Sequence, residues 1–396
     1  MPTVSVCPSC GSDRVSPFYR VAKVPAHSVL LLETREEAIN YPNGQIELGL
    51  CADCGFIYNT VFDQALNDYA ERYEATQSFS PTFSAFARGQ ALDLIDRLDL
   101  RGKRVLEIGC GQGEFILQLC ELGDNQGLGY DPAYRGDEAS QSDRVQFFAD
   151  FYTEKSGAFD GAFICCKMTL EHIPDPYEFV SLVRRCIAPT ADPVVYFQIP
   201  NANYVLQTEA FWDVYYEHCS YFTPETLQFI FERAGFAVQR VYTDYDDQYL
   251  MIEAKVAAAG SSPSIPPAAL ARIHADVERF SADVPARSAE WRASIQALHA
   301  AGQRIVLWGG GSKGVAFLTS LGITDEIRYV VDVNPRKNGM FMAGTGQEIV
   351  LPEFLREYRP DTAIVMNPIY IPEIQAKLDE LGVPTQLLSI ESVLDG

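Results

Sequence analysis

The chain holds ten cysteines and five histidines, and its capacity for chemistry gathers at a few of them. Cys7-Pro-Ser-Cys10 and Cys51-Ala-Asp-Cys54, each followed by a glycine (Gly11, Gly55), form two knuckles that together offer four thiolates to one tetrahedral zinc ion. A closed four-cysteine shell leaves no coordination position open, so the expected role of the metal is structural. Four buried reduced cysteines, or a redox dithiol, are the alternatives, and neither explains the duplication. Two of the histidines stand beside glutamates: Glu171-His172 in LEHIPDP, and Glu217-His218 in YYEHCSYF. Imidazoles titrate near neutral pH, which makes both candidates for proton transfer. Residues 215–221 join tyrosines, among them Tyr216 and Tyr221, to a carboxylate and an imidazole, a mixture suited to a carbonyl-bearing substrate. His218 is read as the base, and Asn201, after Pro200, falls in another loop at the same end of the sheet. His172 equally suits a cap or a core contact, because a helix begins at Pro176.

A glycine-rich turn, Glu107-Ile-Gly109-Cys-Gly111-Gln-Gly113, follows an apolar run and opens a helical one. Such a turn alone fits several nucleotide ligands, and its neighbours narrow the choice. Glu107 would repel a pyrophosphate but accepts hydrogen bonds near an ammonium group or the loop. Asp131, ending the next strand, is placed to accept from ribose hydroxyls. Asp150 ends the third strand and can receive an adenine amino group, with Phe151 covering the ring. Carboxylates at three successive strand ends suit a cationic, unphosphorylated adenosyl ligand, S-adenosylmethionine. Turn initiation by Asp131 and Asp150 is the plainer alternative. An NAD(P) dehydrogenase is disfavoured by Glu107 and by the lack of a clear GxGxxG at the second glycine turn, Gly309 to Gly314.

The elements that must position these residues alternate. A helix over about 82–98 precedes the strand 104–108. Helix 114–122 precedes strand 126–130, and further strands follow at 145–148, 161–165, 194–198 and 238–243, with helices at 177–186 and 224–234. This predicts an α/β fold with a parallel, doubly wound sheet whose ligands sit beyond the strands' carboxyl ends. Four parts are expected: a zinc-binding module (1–66) with strand-like stretches at 28–32 and 55–58, a central Rossmann-like methyltransferase domain of class I (67–256), a linker with one or two packing helices (257–301) opened by AAAGSSPSIPP, and a C-terminal Rossmann-like domain (302–396) with strands at 304–308, 327–331 and 362–366.

With 47% hydrophobic and 21% charged residues the chain has a globular composition. Its net charge of -22 repels a phosphate backbone, so nucleic acid is excluded as the expected partner and a small molecule preferred. No run of about eighteen apolar residues and no basic-apolar leader is present, from which a soluble cytoplasmic protein without membrane partners is expected.

The order of the paired CxxC motifs, EIGCGQGE, LEHIPDP, YYEHCSYF and a C-terminal strand, GGGSKG turn and helix resembles the nucleotide-sugar C-methyltransferases of branched deoxysugar biosynthesis, over nearly the whole chain. The resemblance implies that the central domain holds S-adenosylmethionine and that the C-terminal domain helps to hold a thymidine-diphosphate 4-ketosugar, methylated at C-3. It further implies that His218 removes the proton alpha to the ketone, that Glu217 and the tyrosines orient it or polarise the enolate, and that Tyr73 and His172 lie near the site. Ser312 and Lys313, at a helix N-terminus, then become diphosphate ligands, against the alternative of a turn that only packs. One departure is the segment Asp244 to Tyr249, where these enzymes usually carry a His-Gly-Gly-Ser-type stretch. It leaves room for another acceptor, including O- or N-methylation, and a non-catalytic binding protein is the alternative from a different class.

Overall fold

The computed structural model describes residues 6–66, 72–136, 143–258 and 263–392. The expected boundary at 66/67, the middle of the 257–267 linker and both chain ends lie outside the described residues.

The central sheet has seven strands in the order Phe236–Asp244, Tyr249–Val256, Val194–Pro200, Phe163–Lys167, Arg104–Ile108, Gln126–Tyr130, Val145–Phe148. Tyr249–Val256 runs antiparallel to both of its neighbours, and the remaining pairings are parallel. Its inner strands are apolar on both faces because helices cover both, Pro81–Arg97 and Glu114–Gly123 on one side, Pro176–Arg185 and Pro224–Arg233 on the other. These helices begin where their sequences say they should. Ser80, Asp175 and Thr223 accept from backbone N–H groups of the first turn, each followed by a proline. The strand Tyr249–Val256, absent from the sequence reading, forms a hairpin with its predecessor. Its turn places Tyr245, Asp246 and Asp247 in succession at φ +59, +53 and +57, a left-handed conformation costly for side-chain-bearing residues.

The C-terminal sheet is wholly parallel, in the order Glu348–Val350, Tyr329–Val331, Ile305–Trp308, Thr362–Val365, Gln386–Ser389. Between the two sheets runs one helix of 34 residues, Pro267–Ala300, which packs Ile273, Val277, Phe280 and Trp291 into a core shared with the N-terminal segment and the C-terminal domain.

The N-terminal segment is less independent than its cysteines suggest. Its strands Val15–Pro25, Asn43–Cys51 and Ile57–Asn59 are extended by a fourth, Ser220–Tyr221, from the loop that carries His218. The expected strand at 28–32 is not one. Ser28 N–H donates to the Glu217 carboxylate (3.0 Å) instead of to a neighbouring strand, and only a bridge of Leu30 to Tyr73 remains. Among the described residues no helix is long and apolar enough to cross a membrane.

Candidate active site

The carboxyl ends of the two parallel sheets face one cavity of about 1080 Å³. On the central side its wall includes Glu107, Gly109, Gly111, Asp131, Asp150 and Phe151. Gly109 (φ +72) and Gly111 (φ +56) need the left-handed region. A Cβ on Gly109 would lie 2.0 Å from Thr169 Oγ1, whereas at Gly111 it would meet open space. That space is the bare backbone cradle expected of an adenosyl site. Asp131 Oδ2 accepts from Gly111 N–H (2.8 Å) and Oδ1 from Ala133 N–H (2.7 Å), which leaves lone pairs on both oxygens for ribose hydroxyls. Glu107 accepts from Ile116 N–H (3.0 Å) in the following helix. Burial pushes its carboxyl up to about 8, against the opposing pull of the Lys167 ammonium. Phe151 is 62% exposed, an apolar ring without an apolar partner large enough to bury it, as a residue that covers a ligand would be. Gly113 does not line the cavity. It makes room for the Phe147 ring, 2.4 Å from where its Cβ would stand.

The reaction loops are tied together by backbone groups. Cys219 N–H donates to the Glu171 carbonyl (2.9 Å), and His172 Nδ1 donates to the Glu217 carbonyl (2.9 Å). His218 is 4% exposed. Its Nε2 lies 2.8 Å from the Tyr215 hydroxyl, and its ring lies 5.0 Å from that of His172. Burial first, then the nearby His172 and Lys313, holds the His218 imidazole well below its usual range, and burial lowers His172 too. Burial pushes the Tyr215 phenol well up, so an unprotonated imidazole faces a neutral phenol. Tyr73 lines the same cavity.

Besides Gly113, three predicted residues move out of the site. Tyr216 turns away from the cavity and against Phe62, and its hydroxyl donates to the Asp63 carbonyl (3.0 Å). Its neighbour Tyr215 faces the cavity instead, because adjacent residues of this loop point in opposite directions. Tyr221 is held in the strand paired with Ile57 and buried in the core. Asn201 is a helix cap that accepts from Asn203 N–H (3.1 Å) and donates to the Asp247 carbonyl (2.8 Å). Sequence reasoning also missed His27 and Ser28. Glu217, 1% exposed, has Oε1 3.3 Å from His27 Nδ1, while Oε2 accepts from Ser28 N–H and from its hydroxyl. The Ser28 hydroxyl is in turn 2.8 Å from Ser312 Oγ. A polar His-Ser pair after an apolar strand was the available signal.

The second glycine turn forms the opposite wall, with Gly309, Gly311, Ser312 and Lys313 lining it. It opens the helix Ser312–Leu321, whose start has no side-chain cap, so backbone N–H groups there remain for a ligand. Lys313 is not a lone cation. Its ammonium pairs with Asp213 (2.9 Å) and donates to Gln248 (2.8 Å). Gln248 and Asn367 exchange two amide hydrogen bonds of 3.0 Å, and Tyr245 donates to the Tyr370 hydroxyl (2.7 Å). The segment Asp244 to Tyr249 thus joins the two sheets at the rim of the cavity.

Away from the cavity, Cys7, Cys10, Cys51 and Cys54 bring their sulfurs within 4.8 Å of one another. Two of the separations are 3.7 and 3.6 Å. Four sulfurs about 2.3 Å from a central zinc would stand ~3.8 Å apart, so the cluster fits a tetrahedral ion, and all ten cysteines are free of disulfides.

Residues 83–241 match a family described as "Methyltransferase domain" and residues 269–384 one described as "C-methyltransferase C-terminal domain". The chain is 27% identical over 299 residues to C-methyltransferase NovU of Streptomyces niveus, covering 71% of this chain and 70% of that protein. It is 38% identical over 103 residues to a ubiquinone biosynthesis O-methyltransferase of Xanthomonas oryzae pv. oryzae, which covers 24% of this chain and 42% of the relative. Among solved structures, the 1,6-didemethyltoxoflavin-N1-methyltransferase of Burkholderia thailandensis superposes with a TM-score of 0.36 at 18% identity, over 44% of this chain and 79% of that one.

Proposed function

We propose that this S-adenosylmethionine-dependent methyltransferase methylates carbon, and that its acceptor is a nucleotide-diphosphate 4-ketosugar methylated at C-3 through an enolate, with His218 as the base. The observation that carries this reading is the shared cavity, in which His218 lies between an adenosyl-type glycine turn and an uncapped helix N-terminus suited to phosphate. An acceptor that spans the two walls needs an anionic end and a reactive carbon, and a nucleotide-linked sugar has both.

Bound S-adenosylmethionine supplies an electrophilic methyl group. Gly109, Gly111, Asp131, Asp150 and Phe151 hold the adenosyl portion, with Glu107 fixing the turn from behind. A ketosugar carbon is not nucleophilic until it loses its proton, so the protein's main task is deprotonation. An uncharged His218 is the form able to accept that proton, and its burial maintains it. Tyr215 donates to Nε2 until the acceptor enters and then stands beside the carbonyl oxygen. Glu217, fixed by His27 and Ser28, sets the height of the His218 loop, while Tyr73 and His172 line the remaining side. Ser312 and the N–H groups behind it receive the diphosphate, and Lys313, shared with Asp213, adds part of a charge. Residues 302–396 are thus the acceptor-binding domain, 67–256 the methyl-donor domain, 257–301 the connection and 1–66 a zinc module.

In deuterium oxide, a thymidine-diphosphate 4-keto-6-deoxyhexose should exchange its C-3 hydrogen on the enzyme. His218→Gln should slow exchange and methyl transfer together by about 10²- to 10⁴-fold, with the fold retained. Methylation of oxygen or nitrogen without any C-3 exchange would overturn the reading. For the metal, one zinc per chain is expected, lost in Cys54→Ser, and chelation should lower the melting temperature.

A further inference from the structure

Four carboxylates at most 3% exposed lie around the cavity, and one differs from the others; Glu107 accepts from Ile116 N–H. Glu74 is 1% exposed and is met by Arg336, Asn334 and Arg135. Glu217, equally buried, is met by His27 and Ser28. Glu171 is also 1% exposed and lines the cavity, yet neither of its carboxyl oxygens has a hydrogen-bond partner among the described residues. His218 Nε2 is 4.0 Å from Oε1. A buried carboxyl without partners costs free energy, and a polar group of a ligand entering the cavity beside it can supply the missing bond.

We propose that Glu171 is a catalytic residue that donates a carboxyl hydrogen bond to the acceptor oxygen on which charge develops during deprotonation. The proposal rests on the enolate reading above. His218 takes the C-3 proton, and the C–H electron pair forms the C-3 to C-4 double bond. The carbonyl pair moves onto O-4, which Glu171 O–H stabilises. When C-3 forms its bond to the methyl carbon, the methyl–sulfur bond breaks, its electron pair stays on sulfur, and the ketone returns. The proton on His218 is released to solvent, so one proton leaves per methyl group transferred.

Burial pushes the Glu171 carboxyl up to about 8 while it drives the His218 imidazole down. Neighbouring acid and base are thereby kept in the two neutral forms this chemistry requires. The titratable groups around Glu171 are His218, Tyr215, Cys219, Cys166 and Tyr249, with His172 beside it in sequence and Lys313 acting on His218. None of those facing Glu171 is a fixed cation that would ionise it.

The test uses the full chain with S-adenosylhomocysteine and a thymidine-diphosphate 4-keto-6-deoxyhexose, following C-3 hydrogen exchange by NMR across pH. Wild-type exchange should fall as pH rises through about 8. Glu171→Gln, neutral and still a donor, should stay within about tenfold of wild type and lose that alkaline limb. Glu171→Leu should be slower by about 10²- to 10³-fold. A limb that persists in Glu171→Gln, or a Gln variant as slow as Leu, overturns the role of Glu171 alone. A wild-type enzyme that exchanges nothing overturns the enolate reading and this role with it. Should the Leu variant not fold, the limb in the Gln variant decides.

Discussion

The two glycine turns that face each other across the cavity are built alike and charged differently. Each follows a central parallel strand, and each is held by the aspartate that ends the next strand. Gly111 N–H donates to Asp131 at 2.8 Å, and Gly310 N–H donates to Asp332 at 3.0 Å. Around the first turn burial raises both Asp131 and Glu107, and the Lys167 ammonium opposes it only at Glu107. At the second, Lys337 reaches Asp332 Oδ2 and the Gly310 carbonyl, both at 3.1 Å. One plan thus suits opposite charges. A bare aspartate favours a cation and ribose hydroxyls, and the same aspartate cancelled by a lysine no longer repels a phosphate.

Removing that cancellation should have the largest effect. Lys337→Met leaves Asp332 charged and nearly buried, and loss of one partner of such a pair costs about 3–5 kcal/mol, readable as a fall in denaturation midpoint. Nucleotide-sugar affinity should fall as well, with S-adenosylhomocysteine affinity unchanged. Next comes Gly109→Ala. The methyl would stand 2.0 Å from Thr169 Oγ1 at φ +72, and the left-handed backbone alone costs about 1–2 kcal/mol. Calorimetry should show S-adenosylmethionine binding weakened by roughly 5- to 30-fold from that backbone term alone. The smallest change is Ser28→Ala, which removes one hydroxyl between Glu217 and Ser312. About 1 kcal/mol, or roughly fivefold in kcat/KM, is expected, and a change confined to stability would detach Ser28 from the reaction.

The first turn was readable in the sequence because its ligands are local. Strand, glycines and helix run from Arg104 to Gly123 without interruption, and Asp131 lies one strand on. The parallel sheet was readable for the same reason, since apolar runs alternate with capped helices. What was not readable came from distant chain. His27 and Ser28 reach Glu217 across the whole central domain, and Gln248 meets Lys313 and Asn367 only because a hairpin with three left-handed residues turns it outward. Tyr215 and Tyr216 are indistinguishable by composition. Their roles are set by Gly44, where a Cβ would fall 2.1 Å from the Tyr216 ring. The charge of Lys313 was overestimated because its partner Asp213 sits in a loop about a hundred residues earlier.

The strand Ser220–Tyr221 completes the N-terminal sheet by lying against Ile57–Asn59, and this has a consequence for synthesis. A chain emerging from the ribosome makes its first three strands long before Tyr221 exists. Until then Ile57–Asn59 is an open edge with unpaired backbone groups and buried-type side chains, a template for pairing with another nascent chain. All four cysteines have been made by Cys54, so the metal ion proposed for them would hold that unfinished sheet in register while its last strand is still to come.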